Sequence, residues 1–368
     1  MKLIDEFEGG RLFRVGRIPV LDLHGSYHAM GRQYGYLLKD HLHGLYRTAV
    51  EDYFIGAQNI PYERLKRIGI DIFDLYPRRF KTMIYGMAET SDMSVGKHII
   101  LNGLEYYGLL FGCSGIAVWN EFTSGGPLLF GRNYDWYSHY REFASYLTVT
   151  VLHPESSYAS AIIMFAGVIY ATTGLNECGL FLELNNGMPV SGDSNYSNRV
   201  PIIIKLLTFL QDHSTMKQLD AALNSTRANY AYIINVADRD GAYSYECSTY
   251  DIMRLTGDPR GLLVATNHFV HHSWGTMRER DTNFKTITRR ENLIRCARQS
   301  LGAFSLSKMK ELLDLPLPRG ATWPPGERIQ TVYQAIAVPD DLTIWLKIPA
   351  VQEWSEIPLG SIFPENDR

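Results

Sequence analysis

The sequence predicts an α+β protein of αββα type, in which two antiparallel sheets pack face to face with helices outside, preceded by a mostly helical N-terminal segment. Three observations carry this. Apolar spacing is helical from Tyr62 to about Gly112 and becomes strand-like from Cys113 onward. After Cys113 the order is strands, then two helices, then strands again. The strands also come in pairs joined by Gly-, Pro- and Asp-containing turns, as antiparallel hairpins do. The chain therefore divides into residues 1–112, the helical segment, and 113–368, the sheet-rich unit.

Residues Arg11 to Leu23 alternate loosely and read as a strand or two. A helix follows from about His28 towards Leu45, with Gly31 and Gly35 four apart on one face, suited to close packing. Three or so helices then run to about Tyr107. Their apolar faces need cover, so the segment is expected to stay packed against the rest. Strands are expected at 113–119, 128–134, 145–152, 159–165, 168–173 and 179–184. Helices follow at Val200–His213 and Met216–Asn224. A hairpin spans 231–238 and 242–247, turning at Arg239-Asp240-Gly241, with Cys247 in the core. A strand at 262–269, a helix from Thr288 to about Leu301, a short helix at Phe304–Leu315 and a last hairpin of 329–337 with 342–348 complete the unit.

The chemistry concentrates in the first hairpin. Phe111-Gly112-Cys113-Ser114 opens one strand, and Gly131-Arg132-Asn133-Tyr134-Asp135-Trp136 closes its partner. This brings a thiol, a guanidinium and a carboxylate to one end of two paired strands. A thiolate is the nucleophilic form of cysteine, and a nearby arginine favours it. Scission of the Gly112–Cys113 bond would give Cys113 a free α-amine, which titrates at about 7.7–8.0 and serves as a base near neutral pH. A lone cysteine in an apolar run is ordinarily a small buried hydrophobe. The preceding glycine and the matched partner strand argue for more.

These residues resemble the Cys-type N-terminal nucleophile hydrolases of the choloylglycine hydrolase and penicillin acyltransferase superfamily, to which acid ceramidase is more distantly related. The resemblance implies an enzyme that cuts linear amides, or moves acyl groups, through a thioester on Cys113. It implies that residues 1–112 are a precursor segment, retained as a small subunit after self-cleavage before Cys113. It assigns Arg132 to tuning the thiol and holding substrate, and Asp135 to orienting the new amine. A turn of Asn-Glu-x-Gly-Leu type at 176–180 leads, counted without a gap, to Asn186 as the oxyanion donor, with Asn185 its alternative. Thr266-Asn267-His268-Phe269 matches the family's Thr-Asn strand and assigns Asn267 a hydrogen bond near the amine. The last active-site arginine falls on Arg290, with Arg289 the alternative. Hydrolase, acyltransferase and an uncleaved, non-catalytic ligand-binding member are the three expectations.

Composition is that of an ordinary globular protein: 368 residues, 45% hydrophobic and 20% charged. A net charge of −3 gives no electrostatic footprint for nucleic acid. The four cysteines, at 113, 178, 247 and 296, have neither zinc-knuckle nor CxxC spacing. His268, His271 and His272 cluster without a carboxylate or thiol, which reads as a loop at the pocket rim, so neither metal nor cofactor is expected. Met1 to Val15 contains no apolar run of signal-peptide length, and no stretch is apolar enough to span a membrane. The expectation is a cytoplasmic protein, or a secreted or periplasmic one whose leader has been removed. Its partner is expected to be a small N-acyl amide substrate, and assembly into a homo-oligomer is compatible with the sequence.

Overall fold

The computed structural model describes residues 1–107, 112–187, 197–275, 281, 284–349 and 351–364. Phe111 therefore lies outside the described residues. The chain opens with three strands, β1 (Lys2–Phe7), β2 (Gly10–Val15) and β3 (Ile18–Gly25). Helices α1 (Tyr27–Leu37) and α2 (Lys39–Leu45) follow, then a wider π-helical stretch, Tyr46–Ala57. After them come α3 (Tyr62–Asp74), α4 (Arg78–Thr90), α5 (Val95–Leu101) and α6 (Leu104–Tyr107). The sheet-rich unit begins with β4 (Ser114–Val118), β5 (Leu129–Tyr137), the short α7 (Tyr140–Phe143), β6 (Leu147–Pro154), β7 (Ser160–Phe165), β8 (Thr173–Asn176) and β9 (Phe181–Asn186). Next are α8 (Ile202–Asp212), α9 (Met216–Asn224), β10 (Tyr232–Ala237), β11 (Ala242–Cys247), β12 (Ile252–Leu255) and β13 (Leu262–Ala265). The chain finishes with α10 (Thr286–Arg298), α11 (Leu306–Asp314), β14 (Ile329–Val338), β15 (Thr343–Ile348) and β16 (Gln352–Pro358).

The strands form two sheets, one ordered β1-β2-β3-β6-β7-β8-β9-β10-β11-β12 and the other β13-β4-β5-β14-β15-β16. Neighbours are antiparallel except β3 and β6, which run parallel. The faces alternate as strand geometry requires. Ala117, Phe130, Tyr134, Tyr333 and Ala335 of the smaller sheet point inward and join one core with Val149 and Phe181 of the larger. Phe130 and Phe181 meet across this core with ring centres 4.9 Å apart. On the outer face, Ile116, Val118, Leu129 and Ile336 pack with Leu293 and Ala297 of α10 and Met309 and Leu313 of α11. Each of the larger of these side chains, fully buried, contributes about 1.5–3 kcal/mol. Leu206, Leu207 and Leu210 of α8 are buried on the larger sheet's side. The layers are helix, sheet, sheet, helix, as the strand–helix–strand order predicts.

The N-terminal segment is mostly helical, but it is built into the larger sheet: β3 pairs with β6 over Val20–Gly25 and Val149–Pro154. Ser26 caps α1, its Oγ accepting from the Ala29 N–H at 3.2 Å. Gly31 lets α1 lie directly on α4, because a Cβ there would meet the Met83 carbonyl, and one at Gly86 would meet that of His28. The strand expected at 168–173 starts only at Thr173. Gly167 has φ +83°, and the Asn102 amide ties its carbonyl (2.9 Å) and the Ile169 N–H (2.8 Å) into a turn instead. The edge strands β1, β12 and β16 have weak signatures, and the sequence reading did not include them.

Candidate active site

Cys113 is buried and immediately precedes β4, whose Gly115 is paired with Arg132 of β5. Arg132 is fully buried on the inner face. Its Nη2 donates to Cys113 Sγ at 3.4 Å and to the Leu184 carbonyl at 2.9 Å. Its Nη1 donates to the Thr172 carbonyl and Thr173 Oγ1, and its Nε lies 3.4 Å from Glu183 Oε2. The strands β8 and β9 of the opposite sheet thus hold the guanidinium against the sulfur. Thr173 Oγ1 also contacts the Tyr333 hydroxyl at 2.7 Å, and the Tyr134 ring lies 5.1 Å from Arg132 Cζ.

Asp135 lies three residues on and hence on the outer face of the same strand. It accepts from Thr331 Oγ1 at 2.7 Å, and its Oδ2 is 3.4 Å from Arg289 Nη1. That nitrogen also donates to the Cys113 carbonyl at 2.8 Å, while Arg289 Nη2 donates to Asn267 Oδ1 at 2.5 Å and Nε to the Phe284 carbonyl at 2.9 Å. Asn267 Nδ2 donates to the Asn186 carbonyl at 2.8 Å. Cys113 therefore sits between two buried arginine–carboxylate pairs, one on each face of the smaller sheet.

Of the residues the sequence singled out, the structure brings Cys113, Arg132, Asp135 and Asn267 together. Two others, Arg290 and Asn186, lie differently from their neighbours Arg289 and Asn185, the alternatives the sequence left open. Arg290 does not reach Cys113: its Nε donates to the Val264 carbonyl at 3.3 Å, and Arg289 takes the place expected for it. Arg289 shares the buried helix face of Leu293 and Ala297, at intervals of four, whereas Arg290 is about 100° further round. Asn186 presents its carbonyl, not its side chain. Along β9, Phe181, Glu183 and Asn185 face the smaller sheet, and Asn186 falls on the other side. The Asn185 amide is fully buried between the sheets, with Nδ2 3.5 Å from the Ala265 carbonyl. Sequence reasoning missed Glu183. Its signal was a carboxylate in an otherwise apolar run, Phe181-Leu182-Glu183-Leu184.

Burial pushes the Cys113 thiol up to about 11; Arg132 opposes this and Asp135 adds to it. In this environment the thiol of the intact chain holds its proton at neutral pH. Burial likewise raises Asp135 to about 7, against the pull of Arg289. Glu105 of α6, hydrogen-bonded by the Tyr134 hydroxyl, is raised by burial to about 7. This gives a pH-dependent outcome. Between about 4.5 and 7 the folded chain holds a proton on Glu105 that the unfolded chain has lost. The stability this confers is complete below that range, falls as pH rises through it and is gone above. Relative to Glu105→Gln, wild type should lose up to about 3 kcal/mol of unfolding free energy over this interval. Urea titrations at pH 4.5 and 7.5 check it, and parallel pH slopes for the two proteins would refute it.

The chain belongs to the acyl-coenzyme A:6-aminopenicillanic acid acyl-transferase family, whose model matches residues 122–323. This agrees with the superfamily resemblance carried by the hairpin residues, although the match begins beyond Cys113. Protein dcd1B of Dictyostelium discoideum is 24% identical over 288 residues, 68% of this chain and 53% of that protein. The chain thus spans about half the length of the curated relative it matches. Among solved structures, the Caenorhabditis elegans ortholog of N-acylethanolamine-hydrolyzing acid amidase covers 67% of this chain and all of its own, at 16% identity and TM-score 0.47. A mutant of the conjugated bile acid hydrolase from Clostridium perfringens covers 69% of this chain and 93% of its own, at 15% and 0.47. Penicillin V acylase from Agrobacterium tumefaciens covers 69% and 89%, at 11% and 0.46. Among the described residues, no helix is long and apolar enough to cross a membrane.

Proposed function

We propose that this chain is a self-processing cysteine amidohydrolase that cleaves the linear amide bond of a small N-acyl substrate through a thioester at Cys113. The observation that carries this reading is the placement of Cys113: its sulfur lies 3.4 Å from Arg132, and its carbonyl is fixed by Arg289. In processing, Sγ attacks the Gly112 carbonyl carbon, the Gly112–Cys113 C–N bond breaks, and water hydrolyses the resulting thioester. Gly112 then ends in a carboxylate, and Cys113 begins with a free amine. In turnover that amine takes the thiol proton, the sulfur attacks the substrate carbonyl, the amine product leaves, and water releases the acid. The buried Asn185 amide is better placed than Asn186 to donate to the oxyanion. Arg132 stabilises the thiolate, and Asp135, held by Arg289 and Thr331, orients the amine.

A second reading, acyl transfer to an amine acceptor, is favoured by the family's own reaction. The two differ only in what attacks the thioester. The test is amine release from a panel of N-acyl amides (an N-acylethanolamine, an N-acyl amino acid, a conjugated bile salt, penicillin V), with and without excess acceptor amine. Free acid as the product supports hydrolysis, and a new amide supports transfer. No turnover, with iodoacetamide labelling Cys113 no faster than Cys178 or Cys296, would overturn both and leave a ligand-binding protein.

A further inference from the structure

We propose that Asp22, His24 and His153 form a binding site for a divalent transition-metal ion of the zinc class, tying the N-terminal segment to the rest of the chain. The site belongs to the seam between β3 and β6, three strands away from β9 and its contacts to Arg132. Parallel register sets His24 opposite His153, and Asp22, two residues before His24, shares its face. The two imidazoles stack with ring centres 4.2 Å apart and planes 7° apart. Both Nε2 atoms converge on one oxygen, Asp22 Oδ1, at 2.8 and 2.9 Å. These are close ion-pair contacts and not well-aligned hydrogen bonds, and the Asp22 side chain is fully buried. Two imidazole nitrogens and a carboxylate oxygen gathered this closely are the donor set such an ion takes.

The surroundings fit. Arg11, opposite Asp22 on β2, donates to Asp22 Oδ2 from Nε at 2.9 Å and from Nη2 at 2.5 Å. This fixes the carboxylate and leaves Oδ1 as the ligand atom. The ligand atoms all lie within 4.8 Å of one another. Donors about 2.1 Å from an ion lie about 3.0 Å apart in octahedral and about 3.4 Å apart in tetrahedral geometry, so a pair at the 4.8 Å limit would have to close by about 1.4–1.8 Å, a movement that rotation of the half-exposed His24 side chain supplies. The His24 side chain is 41% exposed, which gives an entry path and room for water to complete the coordination. Calcium and magnesium are disfavoured, because they take oxygen ligands. Because Asp22 and His24 precede Gly112–Cys113 and His153 follows it, the ion would clasp the two parts whether or not that bond is cut.

The test uses the full-length protein, stripped with a chelator and titrated with zinc chloride by calorimetry and thermal melting. Wild type should bind one equivalent with Kd below about 10 μM and gain several degrees in Tm at saturation. His24→Asn, at an exposed side chain and therefore safe for folding, should weaken binding at least tenfold and abolish the Tm gain, as should His153→Asn. A His271→Asn/His272→Asn protein controls for the other histidine cluster and should behave as wild type. No stoichiometric binding by wild type, binding unchanged in His24→Asn, or binding lost in the control would each overturn the proposal.

Discussion

Cys113→Ala is expected to remain a single chain of 41.9 kDa, while the wild type separates on denaturation into two pieces meeting at Gly112 and Cys113. Amide turnover should fall at least about a thousandfold, because the substitution removes the group proposed to form the thioester. The fold should survive. Cys113 is small, and loss of its sulfur costs about 1 kcal/mol, within the usual range for one point change. Cys113→Ser is the informative companion. Its hydroxyl keeps the contact with Arg132 but is a weaker nucleophile than a thiol, so processing should slow rather than vanish. Intact mass spectrometry over several days at several pH values checks both. A wild type that stays whole throughout would remove the free amine as base and leave only the binding reading.

Arg289→Ala should destabilise the chain by about 3–5 kcal/mol, whereas Arg290→Ala should cost about 1 kcal/mol. The difference follows from what each guanidinium holds. Arg289 is fully buried and supports Asp135, the Cys113 carbonyl, Asn267 and the Phe284 carbonyl together. Removing it leaves Asp135 buried beside no compensating charge on that face, and such a group costs more than the pair itself contributes. Arg290 is half-buried; its Nε makes a long contact with the Val264 carbonyl, and its charge is favoured by Glu246. Arg289→Lys should recover only part of the loss, because an ammonium restores the charge without the planar fork. Urea midpoints of the three variants, with their processing rates, decide this. Equal costs at 289 and 290 would refute the assignment of the site arginine to Arg289.

The sequence revealed most where geometry is local. Cys113, Arg132 and Asp135 lie on one hairpin, so turn chemistry and a period of two were enough to bring them together. The layer order was legible for a related reason: the switch of apolar period at Cys113 marks the change from helix to strand. Asn267 follows from a family pattern, and the structure places it against Arg289. The two choices between neighbouring residues, 185 or 186 and 289 or 290, turn on phase. On β9 a gapless count selected Asn186, whereas the side-chain alternation of Phe181, Glu183 and Asn185 selects Asn185. On α10 the repeat Arg289, Leu293, Ala297 marked the buried face, and Arg290 falls off it. What spacing could not reveal were partners from different layers or distant strands. Glu183 meets Arg132 only because two sheets face each other. His24 meets His153 only because β3 runs beside β6.

That parallel seam bears on the order of events in the life of the chain. Strand β3 reaches β6 across most of the N-terminal segment, so the pairing has high contact order and is slow to form. In an uncut polypeptide the two strands are tethered, and their meeting is a unimolecular search. In a polypeptide cut at Gly112 it would be a bimolecular one, weakened by dilution and exposed to an open β6 edge that recruits wrong partners. The proposed scission would therefore be productive only after the larger sheet has assembled. A chain denatured after the cut should refold with a concentration-dependent yield, whereas the uncut Cys113→Ala chain should not.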